Sequence, residues 1–412
     1  MKKTILAVSL LAAGLSANAV ENTDVTIAGW GDNDVVVFNK LVNEVLVDTF
    51  KQAGLTVKYQ AVAGDFSQFI TNSLSAGTAP DAFYVDVVFA NTLIKSGKLL
   101  PNDSRLAGIA THIIPELNAA FTLDGKQFGV AKDFNTLALQ YNKDIFDDAE
   151  VAYPTNSDTW EDLRKKLLGV KEALADDVTG ICVMPDYARF APVALAAGWK
   201  PFNAAGKTVL DANFERAFNF YTGLVTTDKV GILATDLSQS WGGGCFGTEK
   251  TAVTIEGNWI GGFLRDKAPN LIYGTTLLPK DAVTGERGNL LFTVAWGINA
   301  DSKNIEAAQK AIEILTSQQA QEWVLASSFA LPSRQSLGKS TFFAQKNAEN
   351  ELAKQVFDGS LEGHVEPFAF GNYGMEWMTP INDALNAVML GQMTQKDAIK
   401  MAQAKYDAMM AK

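Results

Sequence analysis

The segment GTEKTAVTIEGNW joins a strand-like run to two side chains suited to binding a polar ligand. Thr251, Val253 and Ile255 alternate, which predicts a strand with one buried face. Asn258 and Trp259 follow at once, at the end of the strand where ligands bind in α/β sheets. An amide bonds hydroxyl groups and an indole covers C–H faces, so the pair suits a sugar. The alternative is a tryptophan of the core.

The first part of the chain predicts a parallel sheet whose loops carry further candidates. Strand patterns at 25–28, 55–59 and 82–88 alternate with two helical patterns, the second of which Asp65 can cap. This β-α-β-α-β order predicts parallel strands with right-handed crossovers. The loops at their carboxyl ends should line one crevice. Those loops contain Trp30, Asp32, Asn33 and Asp86.

A second α/β unit is predicted to begin near Gly129. Its strand patterns cover 136–141 and 180–184, and Thr159 can cap the helix between them. A later strand is predicted at 294–299, and two helices, 381–390 and 395–409, close the chain. The chain is also longer than the roughly 250 to 300 residues at which a single core stops growing. Two lobes are therefore expected.

The amino terminus has the three-part pattern of a cleaved secretory signal. Lys2 and Lys3 precede an apolar run, 5–15, and the tripeptide Ala17-Asn18-Ala19. We predict a signal peptide of residues 1–19, with cleavage after Ala19. The residue directly after that site is not a cysteine that could carry a lipid, which favours the periplasm of a bacterium with two membranes.

The charge and the remaining reactive residues exclude several functions. The chain carries a formal charge of −11, and loss of the signal with its two lysines leaves −13, so nucleic acid is not expected as a partner. His112 and His364 are the only histidines and have no ligand cluster near them in sequence, so we predict no metal and no cofactor. Cys182 and Cys245 could form a disulfide or remain two buried thiols.

Six blocks together make the chain similar to a known family. It resembles the extracellular solute-binding proteins of ABC importers, in the sugar-binding group that includes maltose-binding protein. The blocks follow the family's order over nearly the whole mature chain. They are APDAFYVD (79–86), DGKQFGVAKDFNTLALQYNKDIF (124–146), TWEDL (159–163), FGTEKTAVTIEGNW (246–259), YGTTLLP (273–279) and WGINADSKNIEAAQKAIEIL (296–315).

The resemblance implies an α/β fold of the periplasmic binding protein type II, with two doubly wound lobes joined by a hinge and a ligand cleft between them. The first lobe would comprise 20–132 plus 297–330, and the second 133–296 plus 331–412. The chain would cross between the lobes near Asp133, Trp296 and Leu331.

The resemblance also implies polar ligand contacts from the first lobe and from the first crossing. Asp32 and Asn33 match a polar pair that bonds sugar hydroxyls, with Trp30 beside them, and Asp86 lies near a third-strand contact. Maltose-binding protein has a lysine in place of Asn33, so a shifted hydroxyl pattern is expected. Asn135 occupies the position of an acidic sugar contact. Local capping of loops and strand edges is the structural alternative for these residues.

Aromatic contacts are implied in the second lobe. Trp259 matches a tryptophan that stacks on sugar, and Asn258 precedes it. Trp377 falls within about a residue of a second stacking tryptophan. Trp241 lies in a loop expected to face the cleft but has no one-to-one match.

We therefore expect a monomeric, non-enzymatic, periplasmic protein. It would capture a mono- or oligosaccharide in the cleft and deliver it to the membrane permease of an ABC importer. One alternative is a polyamine-binding protein, since acidic side chains with aromatic neighbours suit a polycation. The other is a secreted glycoside hydrolase, which would need two carboxylates flanking one bond.

Overall fold

A computed structural model of the chain describes residues 22–31, 33–62, 65–174, 178–327, 330–371 and 373–411. The predicted signal peptide, Asp32 and the side chain of Asn33 lie outside the described residues.

The described strands form a seven-stranded sheet, a five-stranded sheet and a two-stranded hairpin. The strands are β1 (Thr23–Trp30), β2 (Leu55–Val62), β3 (Ala82–Asp86), β4 (Thr122–Leu123), β5 (Lys126–Gln127), β6 (Val130–Asn135), β7 (Ala138–Asn142), β8 (Thr179–Val183), β9 (Gly231–Leu233), β10 (Thr251–Glu256), β11 (Tyr273–Thr276), β12 (Gly288–Ile298), β13 (Leu331–Pro332) and β14 (His364–Pro367).

Helices follow most strands of the two large sheets. They are α1 (Asn33–Lys40), α2 (Val47–Gln52), α3 (Phe66–Ala76), α4 (Val87–Lys95), α5 (Ser104–Ala110), α6 (Pro115–Ala119), α7 (Lys143–Asp148), α8 (Trp160–Ala173), α9 (Tyr187–Ala196), α10 (Ala212–Thr226), α11 (Gly242–Phe246), α12 (Trp259–Lys267), α13 (Ile305–Leu315), α14 (Gln318–Ala326), α15 (Ala348–Asp358), α16 (Thr379–Met389) and α17 (Gln395–Met410). Within the described ranges, no helix combines the length and the apolar character needed to cross a membrane.

The larger sheet contains the parallel unit predicted from the start of the chain. Its order is β13-β6-β12-β3-β1-β2, with β14 paired to β12, and β1 runs parallel to both β2 and β3. The side chain of Asp65 caps α3 by accepting the backbone N–H of Gln68, as predicted. The third strand is shorter than predicted, because Asp86 caps α4 and draws Val88 into that helix.

The smaller sheet carries the strand that precedes Trp259. Its order is β11-β7-β10-β8-β9, with β10 in the centre. The sequence predicted one buried face for β10, but all six of its residues are buried. The reason is its position between β7 and β8, with α7 and α11 in contact with it, so neither face meets water.

Three adjacent strands contain the predicted lobe crossings. Asp133 lies in β6, Trp296 in β12 and Leu331 in β13, and β6 pairs antiparallel with both other strands. β6 ends at Asn135 in the larger sheet, and β7 starts at Ala138 in the smaller sheet, with two residues between them. The chain therefore passes between the sheets here, while the lobe boundaries themselves stay a prediction.

A disulfide joins Cys182 and Cys245 beside the smaller sheet. Cys182 of β8 and Cys245 of α11 are both buried, and their Cα atoms are 6.3 Å apart. Sequence spacing left two free thiols as an alternative, and the structure has the bridge. It ties α11 to the sheet beside β10.

Candidate functional site

A cavity of about 570 Å³ lies where the ends of several strands meet. Such a volume is in the range of small-molecule sites, roughly 300 to 1,000 Å³. Its lining comes from strands of the larger sheet, from the helices and loops beside them, and from Trp259 of α12, the helix that follows β10 of the smaller sheet. The lining residues are Trp30, Asp34, Phe66, Ser67, Asp86, Val87, Val88, Phe89, Lys132, Asp133, Phe134, Asn135, Trp259, Phe292, Thr293, Val294, Ala330, Phe368 and Met375. Of the predicted site residues, Trp30, Asp86, Asn135 and Trp259 meet here.

Trp259 presents a partly uncovered indole to this cavity. It is the first residue of α12 and follows the end of β10 after two residues, as its place in the sequence predicted. Its Nε1–H donates to Oε2 of Glu256 at 2.8 Å, and its ring meets Phe292 edge-on with centroids 5.7 Å apart. These contacts hold the ring, yet 38% of the residue stays exposed. A held, exposed aromatic ring can stack on a ligand.

Trp30 contributes a second indole, from the last position of β1. Its ring packs edge-on against Tyr84 and Phe66, with centroid distances of 5.3 and 6.4 Å. The backbone carbonyl of Trp30 accepts a hydrogen bond from the hydroxyl of Tyr59 at 2.7 Å. The strand end and the ring are thus both held by neighbouring aromatic residues.

A charged side chain, that of Lys132, also lines the cavity. Lys132 forms ion pairs with Asp133 and with Asp34, the latter at 3.9 Å, and its ammonium lies 4.6 Å from the ring centroid of Tyr84. The Tyr84 hydroxyl donates to Asp34 at 2.8 Å. Burial raises the pKa of Asp34, and the charge of Lys132 opposes that rise. The cavity therefore contains a lysine whose charge is balanced by two carboxylates.

Asp86 and Asn135 combine cavity positions with structural hydrogen bonds. The Oδ1 of Asp86 accepts the N–H of Val88 at 2.9 Å, and burial raises the pKa of this carboxyl group. The Oδ1 of Asn135 accepts the backbone N–H of Asn258 at 2.8 Å. Asn258 is not among the cavity-lining residues. Its contribution in the structure is this bond, which joins the end of β6 to the start of α12.

Two predicted aromatic contacts are not in the cavity. Trp377 is 0% exposed: its Nε1–H donates to Thr208 Oγ1 at 2.8 Å, and its ring stacks on Phe370 at 4.9 Å. The prediction for Trp377 is therefore wrong, since a ring enclosed in the core cannot reach a ligand. Trp241 is also absent from the lining, because it precedes α11 and packs edge-on against Phe263 at 4.9 Å.

Sequence reasoning missed much of the apolar lining and Lys132. Phe292, Phe368 and Phe89 line the cavity beside the tryptophans. Phe292 lies in a mostly apolar run, LLFTVAW, whose pattern does not reveal which side chains meet a cavity. Lys132 had a usable signal: it precedes Asp133, where the chain was predicted to pass between the lobes.

The described residues contain no group of three His, Cys, Asp or Glu side chains arranged to hold a metal ion. The polar groups of the cavity are carboxylates, one amide, hydroxyls and one ammonium. They can exchange hydrogen bonds with a polar solute, while the aromatic rings cover its apolar faces.

The model of the bacterial extracellular solute-binding protein family matches residues 45–351, well over half of the chain. The chain belongs to this family. Solute-binding proteins of this family are non-catalytic, which confirms the prediction that the chain is not an enzyme. A binding protein of Brucella abortus (strain 2308) is 23% identical over 417 residues, covering 98% of this chain and 97% of its own length.

Solved solute-binding proteins share the fold of this one along almost its whole length. An ABC substrate-binding protein of Listeria monocytogenes, solved with cycloalternan, has a TM-score of 0.80 at 21% identity and covers 95% of this chain and 99% of its own. The sugar-binding protein MalE of Xanthomonas citri has a TM-score of 0.79 at 20% identity, with 94% and 98% covered. The GacH receptor of Streptomyces glaucescens, solved with acarbose, has a TM-score of 0.76 at 22% identity, with 93% and 97% covered.

These similarities confirm the predicted two-lobe α/β fold. Membership of the solute-binding family establishes the coarse function: a solute-binding protein of an ABC importer acts outside the cytoplasmic membrane, with a solute and a permease as its partners.

Proposed function

We propose that this solute-binding protein captures a neutral mono- or oligosaccharide in the 570 Å³ cavity and delivers it from the periplasm to a membrane permease. The observation that carries the proposal is the pair of tryptophans on one cavity. Trp30 ends a strand of the larger sheet, and Trp259 starts the helix after a strand of the smaller one. A sugar between them would contact both lobes, so its binding energy would favour their closure.

Polar side chains beside the rings supply what sugar hydroxyls need. Asp34, Asp86 and Asp133 offer carboxylate oxygens, Asn135 offers an amide, and Lys132 offers an ammonium. Asp32 and Asn33, next to Trp30 in sequence, are proposed to add to this set. Recognition would then combine hydrogen bonds with stacking, and no bond of the solute would be broken.

The charge balance of the cavity favours a neutral solute over a polyamine. Three carboxylates line it, which alone would attract a polycation. Lys132, however, lies against Asp133 and near Asp34, so a protein cation already occupies the place between these acids. A polyamine ammonium entering there would be repelled by Lys132 or would have to displace it.

Ligands of structurally similar proteins support a carbohydrate. The Listeria protein was solved with cycloalternan, the GacH receptor with acarbose, and a Thermotoga maritima protein with maltose. We further propose that the protein acts as a monomer, that its lobes have the boundaries predicted from sequence, and that its signal is cleaved after Ala19.

Thermal melting of residues 20–412 tests the proposal. The panel contains maltose, maltotetraose, acarbose and D-tagatose, with spermidine and putrescine as test ligands for the alternative polyamine-binding function. At 100 times its dissociation constant a ligand stabilises the folded state by about 2.7 kcal/mol, which gives a clear shift. A shift with one or more sugars and none with the amines is expected. A shift with the amines alone would contradict a sugar-binding function and leave the family assignment intact.

A further inference from the structure

The carboxylate of Glu256 accepts the indole N–H of Trp259, and Glu256 is not among the residues that line the cavity. Glu256 is the last residue of β10, and it is 0% exposed. Its Oε2 accepts two hydrogen bonds, from Trp259 Nε1–H at 2.8 Å and from Arg189 Nη2–H at 2.7 Å. A buried carboxylate is costly unless it is paired. Burial raises the pKa of this carboxyl group, and the charge and hydrogen bond of Arg189 oppose that rise. The indole therefore donates to a carboxyl group that is paired with a cation.

The surroundings leave this carboxylate little freedom. The backbone of Glu256 is held by the side chain of Gln140, which accepts from its N–H and donates to its carbonyl, both at 3.0 Å. Asp186 contacts both ends of Arg189: it accepts the backbone N–H at 2.9 Å, and its Oδ2 lies 3.8 Å from Nη1 of the guanidinium. On the other side, a Cβ at Gly242 would lie 2.6 Å from Oε1 of Glu256. The absence of a side chain at Gly242 is therefore what leaves room for the carboxylate.

We propose that Glu256 is a positioning residue that sets the orientation of the Trp259 ring for a stacked solute, with Arg189 and Gly242 holding Glu256 in place. The effect of Glu256 on solute affinity rests on the proposed function. The orientation itself is a property of the protein without solute. A charge-assisted hydrogen bond restricts rotation of the indole, and a restricted ring loses less entropy when a solute stacks on it.

The first test needs no solute. Indole N–H signals are recorded by ¹H–¹⁵N NMR, and the Trp259 signal is identified by its loss in Trp259→Phe. In Glu256→Gln, the Trp259 indole proton is expected to shift upfield more than any other indole proton, because the charged acceptor is gone. The control is Glu351→Gln, which makes the same substitution at a different glutamate and should leave the Trp259 signal unchanged. An unchanged Trp259 signal in Glu256→Gln would overturn the inference.

The second test measures affinity for maltotetraose by calorimetry in a double-mutant cycle. Glu256→Gln is expected to weaken binding about two- to twelvefold, as for loss of one hydrogen bond of about 0.5 to 1.5 kcal/mol. In a Trp259→Phe background, which keeps a ring and removes the N–H donor, Glu256→Gln should have no further effect. Equal losses in both backgrounds would overturn the positioning role, since they would indicate a general structural effect.

The two failures are distinguishable. If maltotetraose and the other sugars do not bind the parent protein, the proposed function fails, and the indole signal still decides whether Glu256 orients Trp259. If sugar binding depends on Trp259 while Glu256→Gln changes neither signal nor affinity, the proposed function stands and the positioning role fails.

Discussion

Replacing Trp259 by alanine removes the ring on which the proposed solute stacks. Trp259 is 38% exposed, which for a tryptophan of about 250 Å² leaves roughly 95 Å² that a solute can cover. At about 25 cal/mol per Å², covering half to all of this area contributes about 1.2 to 2.4 kcal/mol. Affinity for the sugar with the largest melting shift should therefore fall about 7- to 50-fold in Trp259→Ala.

Isothermal titration calorimetry measures this loss. Trp323→Ala is the matched control, since Trp323 is a half-buried tryptophan of α14 that is not among the cavity-lining residues. The control is expected to keep the parent affinity within about twofold, a difference of roughly 0.4 kcal/mol. Both variants should bind with a stoichiometry of one.

Two results would refute the reasoning. Parent affinity in Trp259→Ala would mean that the exposed ring is not a platform for the solute. Equal losses in Trp259→Ala and Trp323→Ala would mean that removal of any half-buried tryptophan disturbs binding, and the argument from exposed area would fail.

Three further predictions concern stability. Burial raises the pKa of Asp86, so the folded state binds this proton more tightly than the unfolded state, and the stability that this group contributes falls as pH rises above about 4. Asp86→Asn can still cap α4 and does not titrate, so its free energy of unfolding, measured by urea titration, should rise relative to that of the parent as pH increases above about 4. A difference between variant and parent that stays constant from pH 3 to 8 would contradict the assignment. Replacing Cys182 and Cys245 together by serine should lower the free energy of unfolding by about 4 kcal/mol for a loop closed over a sequence separation of 63, and unchanged urea stability would show that the bridge does not form. Trp377→Ala should lower the free energy of unfolding by about 3 to 5 kcal/mol, because it removes a fully buried side chain. A loss of sugar affinity at unchanged stability would instead show that Trp377 contacts the solute.

Features set by neighbours in sequence could be predicted from the sequence. Asp65 caps α3 and Thr159 caps α8 as expected, since a cap depends on residues two or three positions away. Trp259 reaches the cavity because it follows a strand at the end where ligands bind, and the parallel order of β1, β2 and β3 follows from their alternation with helices.

Features set by packing between distant segments could not be predicted. Trp377 is enclosed by partners such as Thr208, which is 169 positions away, and no local pattern distinguishes it from a cleft residue. The group of Asp34, Lys132 and Asp133 likewise forms only when α1 and β6 meet. Spacing also left the pairing of the two cysteines open, because a bridge depends on the distance between their Cα atoms.

A crystal structure with the sugar that gives the largest melting shift is the most direct test of the central claim. The account predicts one sugar in the cavity, in contact with Trp259 on one side and Trp30 on the other, with Asp86, Asn135 or Lys132 within hydrogen-bond distance of its hydroxyl groups. A sugar bound elsewhere, with neither tryptophan in contact, would contradict the account.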